Sequence, residues 1–206
     1  MYSQFGEDGY LIRFFNGKQG NAVDVGAGDG KSGSNTLALE SIGWKVLCIE
    51  PNPLYAKKLA ALRKFTAHVA CGSRNADEAD FHVFHTPGFE EAGEYQALSA
   101  LKPDERIRST YATGAVAHSV HKVPVRTLDS CLEDFGFDGL DLICIDVEGA
   151  ELDVLDGFSM DRWHPQLAIV ENCFDDPKVK MRFLSNGYVI ADKIGVNDVY
   201  QRSVRS

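Results

Sequence analysis

Carboxylates and glycines in this chain collect just beyond short apolar runs. The first group reads Asp24-Val-Gly-Ala-Gly-Asp-Gly30. Glycines at 26, 28 and 30 allow a tight turn and let a ligand approach the backbone closely. A dinucleotide fingerprint, GxGxxG, starting at Gly26 would place its third glycine at position 31, which is Lys31. The pyrophosphate-cradling spacing fails and that of a nucleoside-binding turn holds. Glu50 ends the next apolar run, about 20 residues on, where a carboxylate can accept hydrogen bonds from both hydroxyls of a ribose.

Further along come Asp146-Val-Glu-Gly-Ala-Glu151 and Glu171-Asn172. Acids clustered this tightly need water, a cation or hydrogen-bond donors. The run 143–145 is apolar, so Asp146 emerges at the rim of a cleft. Glu148 and Glu151 have a simpler reading, as acids favouring the N-terminus of a following helix. Asp146, Glu171 and Asn172 together offer the hard oxygen ligands that suit Mg²⁺ or Ca²⁺. The alternative, hydrogen bonding to a substrate or loop with no metal, is preferred. His118 and His121 are additional proton acceptors, although a histidine in a polar stretch is usually a surface residue.

The elements that position these groups alternate along the chain. Residues 7–16 repeat apolar side chains at helical spacing. Strands are expected at 21–25, 45–50, 66–71, 140–146 and 167–171. Helices are expected at 34–42, 54–64, 127–135, 150–155 and 178–186, and a closing hairpin at 188–193 and 198–202. An added strand at 80–85 interrupts the rhythm, and residues 86–122 read as a long polar connection, a lid or substrate segment with some helix. Strands separated by helix-length segments imply an α/β fold, a doubly wound and mostly parallel sheet. Ligands on such sheets bind at the carboxyl ends of the strands, where the acids and glycines lie.

The 206 residues suit a single domain, and 44% hydrophobic content supports a sizeable core. A net charge of −9 argues against nucleic acid or an anionic membrane as the main partner. The five cysteines are odd in number, scattered and without a CxxC pair. They read as free thiols of a reducing, cytoplasmic compartment. The N-terminus has no signal-peptide pattern, and no apolar run approaches the roughly 20 residues of a membrane span.

Taken together, Ser3-Gln-Phe-Gly-Glu-Asp8, Val23–Gly30, Ile49-Glu-Pro-Asn-Pro53, Val125-Arg-Thr-Leu-Asp-Ser130 and Ile145–Leu152 resemble the FkbM family of methyltransferases. The Arg-Thr-Leu-Asp segment followed by Asp-Val-Glu-Gly-Ala-Glu is the specific part. The glycine loop and its acid are common to class I methyltransferases. The resemblance implies a seven-stranded, Rossmann-like sheet with an antiparallel last strand. It also implies S-adenosylmethionine as cofactor and methyl transfer to a hydroxyl of a sugar or small natural product. On that resemblance Asp24, Gly26 and Gly28 would hold the methionine part of the cofactor, and Glu50 the ribose. Ala70 and Cys71 would lie near the adenine, Asp146 beside the methyl-transfer centre, and Ser3 and Gln4 over the cofactor. Asp146 and Glu148 are the leading candidates for the base. Two rival readings are a nicotinamide-dependent oxidoreductase on a similar sheet and a non-catalytic cofactor-binding module.

Overall fold

In this computed structural model the described residues are 1–85, 99–103, 105, 106, 109 and 117–203. The apolar runs become strands: β1 (Asn21–Val25), β2 (Lys45–Ile49), β3 (Phe65–Ala67), β7 (Leu142–Ile145) and β8 (Leu167–Glu171). Most of their residues are buried on both faces, which is why the sequence shows continuous apolar runs and not alternation. With β9 (Tyr188–Ile194) and β10 (Asn197–Arg202) they form a seven-stranded sheet of order β3-β2-β1-β7-β8-β10-β9. The last strand in the chain, β10, runs antiparallel to both neighbours, and the other pairings are parallel.

Helices cover both faces. Leu11 and Phe15 of α1 (Glu7–Phe15), Leu39 of α2 (Leu37–Ser41) and Leu59 of α3 (Pro53–Leu62) pack with Ala22, Val46 and Leu142. On the opposite face are Leu128 and Leu132 of α4 (Leu128–Asp134), Val154 and Leu155 of α5 (Glu151–Asp156), and Trp163 of α6 (Met160–Trp163). Phe183 of α7 (Pro177–Ser185) joins them against Val23, Leu47 and Ile143. Alternate strand residues thus serve the two layers, as the period of two requires. The chain winds outward from β1 to β3, then restarts on the other side of β1 with β7. That reversal opens a crevice at the carboxyl ends of β1 and β7.

Two expectations need correction. The strand expected at 66–71 divides. Residues 65–67 stay in the main sheet, while β4 (Ala70–Cys71) joins a second, three-stranded sheet of order β4-β6-β5. The connection expected at 86–122 is shorter, because β6 (Ala117–Arg126) pairs antiparallel along the whole of β5 (Ala76–His85). The first half of β6 alternates between intermediate and exposed positions, so it lacks the apolar signature of a strand. His118 and His121 therefore belong to a strand, not to a loop. Ala100 exchanges two backbone hydrogen bonds with His82, at 2.9 and 3.1 Å, on the other edge of β5. The remainder of the expected lid, 86–98 and most of 104–116, lies outside the described residues.

None of the five cysteines is in a disulfide, and all but Cys173 are buried. No described helix is long and apolar enough to cross a membrane.

Candidate functional site

The crevice at the strand ends is a cleft of about 500 Å³, within the range of small-molecule sites. Its floor is the turn after β1. The N–H groups of Gly26 and Ala27 both donate to the carbonyl of Ile49, which bends the loop back over β2. At Gly26, with φ +84°, an added Cβ would lie 1.7 Å from the Asp146 carbonyl, so no side chain fits. At Gly28, with φ +56°, nothing lies within 4 Å of an added Cβ, so the loop presents bare backbone to open space. This open approach is what a nucleoside cofactor requires.

Glu50 leaves the end of β2 and is buried. One of its oxygens accepts from the Gly28 N–H at 2.8 Å, and the other from the Asn52 N–H at 2.7 Å. Burial pushes its pKa up to about 7, against the pull of those two amides. Each oxygen keeps a second lone pair for an outside donor. Asp24 lies on the same wall and accepts from the Thr36 hydroxyl at 2.6 Å. Ala70 and Cys71 line the cleft from the second sheet, together with Phe81 of β5. Gln4 reaches it from the N-terminal segment. Ser3 is turned away, with its hydroxyl on Asp8 at 2.7 Å.

At the far end, oxygens of Asp146, Glu148 and Glu171 all lie within 4.8 Å of one another. Asp146 is exposed to the cleft, while the protein packed around its carboxyl takes water away from it. Burial and its neighbour Glu171, to which it is hydrogen-bonded, hold its pKa well above the usual carboxylate range. As a pair the two carboxyls retain a proton where isolated acids would have lost it. Burial pushes Glu148 up to about 9, and Asp146 and Glu151 add repulsion. Glu148 also has φ +56°, a left-handed conformation uncommon outside glycine, which turns its side chain into the cleft.

Asn172, weighed in the sequence as an alternative metal ligand, is engaged elsewhere. Its amide nitrogen donates to Asp198 at 2.8 Å, and its oxygen accepts from the Asp176 N–H at 2.7 Å. The amide is committed to α7 and β10, so the oxygen-rich trio closes with Glu148 in its place. Glu151 has the simpler role foreseen for it, accepting from the Gly149 N–H at 3.0 Å in the first turn of α5. The histidines also lie elsewhere: His118 stacks on His82, with ring nitrogens 2.9 Å apart, and His121 meets Ser119. Neither is among the residues that line the cleft.

Tyr55 and Asp29 were not anticipated. Asp29 caps the loop through the N–H groups of Lys31 and Ser32. Tyr55, on the first turn of α3, lines the cleft, and burial beside Glu50, Asp29 and Glu148 pushes its hydroxyl up to about 12. An aromatic soon after a strand-end acid was the available signal for it.

The family described as methyltransferase FkbM domain matches residues 24–190. A 2-O-methyltransferase, NoeI, of Sinorhizobium fredii (strain NBRC 101917 / NGR234) is 30% identical over 142 residues. That match covers 66% of this chain and 56% of the relative, little more than half its length. Ribosomal protein L11 methylase from Lactobacillus delbrueckii subsp. bulgaricus is a solved structure of similar shape. Its TM-score is 0.50 at 14% identity, covering 96% of this chain and 78% of that one. At that identity the likeness concerns the fold alone.

Proposed function

This chain belongs to the FkbM methyltransferase domain family, and from that premise we propose that it transfers a methyl group from S-adenosylmethionine to a hydroxyl of a sugar or small natural product. The rival nicotinamide reading is set aside by the family match. The observation that carries the proposal is Glu50. It is held by two backbone amides beside a bare glycine loop, at one end of a cleft whose other end holds three carboxylates. The residues present fit the cofactor: Glu50 for the ribose, Ala70 and Cys71 beside the base, and Asp24, Gly26 and Gly28 around the methionine part. Gln4 covers it from above.

When bound, S-adenosylmethionine supplies an electrophilic methyl whose sulfonium is its own leaving group. The protein's part is then chiefly to align the acceptor, which accounts for much of the rate in such displacements. Asp146 or Glu148 takes the hydroxyl proton. Before a ligand binds, these acids hold protons to high pH because they are buried and, in addition, repel one another. A cationic ligand beside them favours their charged forms, so the base is readied only when its partner is in place.

Asp146, Glu148 and Glu171 are close enough to share a divalent cation, but the metal-free route is the one we favour. Activity in EDTA tests this directly. Without a metal, EDTA leaves turnover unchanged, and Asp146→Asn lowers it by about 10²–10⁴-fold while S-adenosylhomocysteine still binds. Loss of activity in EDTA with recovery on adding Mg²⁺ or Mn²⁺ would establish the metal route. No binding of S-adenosylmethionine by calorimetry would overturn the proposed function.

A further inference from the structure

Arg63 follows the last turn of α3, where a basic residue would ordinarily reach into water. Its side chain is instead 0% exposed. The guanidinium is spent on the far limb of the glycine loop. Nη1 donates to the Gly30 carbonyl at 3.1 Å and to the Ser34 hydroxyl at 3.2 Å. Nη2 donates to the Thr36 hydroxyl at 2.8 Å, and Nε is paired with Glu40. Because the Thr36 oxygen accepts from Arg63, its single proton is free for Asp24, 2.6 Å away. The chain Arg63–Thr36–Asp24 therefore runs in one direction and ends on a carboxylate that lines the cleft.

We propose that Arg63 is a positioning residue for the cofactor end of the cleft: it orients the Asp24 carboxylate through Thr36 and fixes the far limb of the glycine loop through Gly30 and Ser34. The effect on cofactor binding rests on the reading of Asp24 as a contact to the methionine part. A charge on Asp24 in turn disfavours ionisation of the groups around it. Cys48 lies beside it on β2, Cys144 on β7, and Glu50 and Asp146 at the two strand ends. Burial raises the Asp24 carboxyl above its usual range, and the Thr36 hydroxyl and the Arg63 guanidinium, itself balanced on its far side by Glu40, pull against that rise. A guanidinium buried to serve a helix end alone would be a poor exchange for its hydration.

The test uses Thr36→Val, which keeps the shape of the residue but removes the relaying hydroxyl, and Arg63→Lys, which keeps the charge but loses the fork. The Asp24 carboxyl is titrated by carbon-13 NMR in ligand-free protein, and S-adenosylhomocysteine affinity is measured by calorimetry from pH 5.5 to 8. Thr36→Val should raise the Asp24 midpoint by about one unit and weaken binding by up to about tenfold. The loss should grow toward acid. Arg63→Lys should fall between Thr36→Val and the unaltered protein. An unmoved Asp24 midpoint in both variants, or an affinity loss equal at every pH, overturns the proposal, because a merely structural role would give that result. A moved midpoint in a protein that never binds S-adenosylhomocysteine would sustain the positioning of Asp24 and overturn the proposed function instead.

Discussion

Glu50 has two demands on one carboxylate. It must hold the loop through the Gly28 and Asn52 amides, and on our reading it must also accept the ribose hydroxyls. Glu50→Ala should weaken S-adenosylmethionine binding by roughly 1.5–3 kcal/mol, the range for hydrogen bonds to a charged group. With its pKa at about 7 before a ligand binds, acidification protonates the acceptor. Affinity should therefore fall as pH drops below 7, by up to about tenfold per unit. Calorimetry on Glu50→Gln should find that slope flattened, and an equally steep slope would mean another group governs binding. At this scale the sequence was informative where spacing alone places a side chain. Glu50, Gly28 and Asp146 stand where strand ends put them. Spacing could not decide between the two readings of Asn172, because a side-chain amide follows its partners, here Asp198 and the Asp176 N–H, and those are brought by α7 and β10 from elsewhere in the chain. Arg63 gave no signal, since nothing in its neighbours foretells burial of a helix-end cation.

Among the elements, α3 carries the turn that presents Glu50. Asn52 is its N-cap and accepts from the Leu54 N–H at 3.1 Å, while its buried Nδ2 has no hydrogen-bond partner. Asn52→Ala should destabilise the protein by about 1 kcal/mol through loss of the cap. Asn52→Ser keeps an acceptor and discards the orphaned donor, so its unfolding midpoint in urea should match or exceed that of the unaltered chain. A loss equal to that of the alanine variant would refute this account of the cap. The main-sheet strands were legible from their unbroken apolar runs. The second sheet was not. Residues 117–122 put Ala117, Ser119 and His121 on one face and His118, Val120 and Lys122 on the other, so neither face reads as apolar, and the departure of the chain at His68 and Val69 depends on β6, over 45 residues later.

For the molecule as a whole, the carboxylates packed into the cleft govern how stability responds to pH. Glu50 and Glu171 rise to about 7 and Glu148 to about 9. An acid whose folded pKa is raised favours the folded state when protonated. That contribution is complete below the unfolded value of about 4.5 and is lost as pH climbs through 7 and then 9. The melting temperature of ligand-free protein should therefore decline from pH 6 to pH 9. Glu148→Gln should remove the later part of that decline, and an unchanged profile would show that Glu148 titrates normally. The second sheet bears on the molecule in a different way. His85 and Ala117 stand opposite each other on β5 and β6, so the chain between them leaves and returns at one place. The entropy of closing such an excursion grows only with the logarithm of its length, about 0.6 kcal/mol for each doubling. Excursions of different size and composition can be carried at this mouth of the ribbon without disturbing the pairing of β5 with β6. The same ribbon reaches the cleft through β4 at its other end, so on our reading of the site the excursion is free to vary while the wall proposed for the cofactor stays as it is.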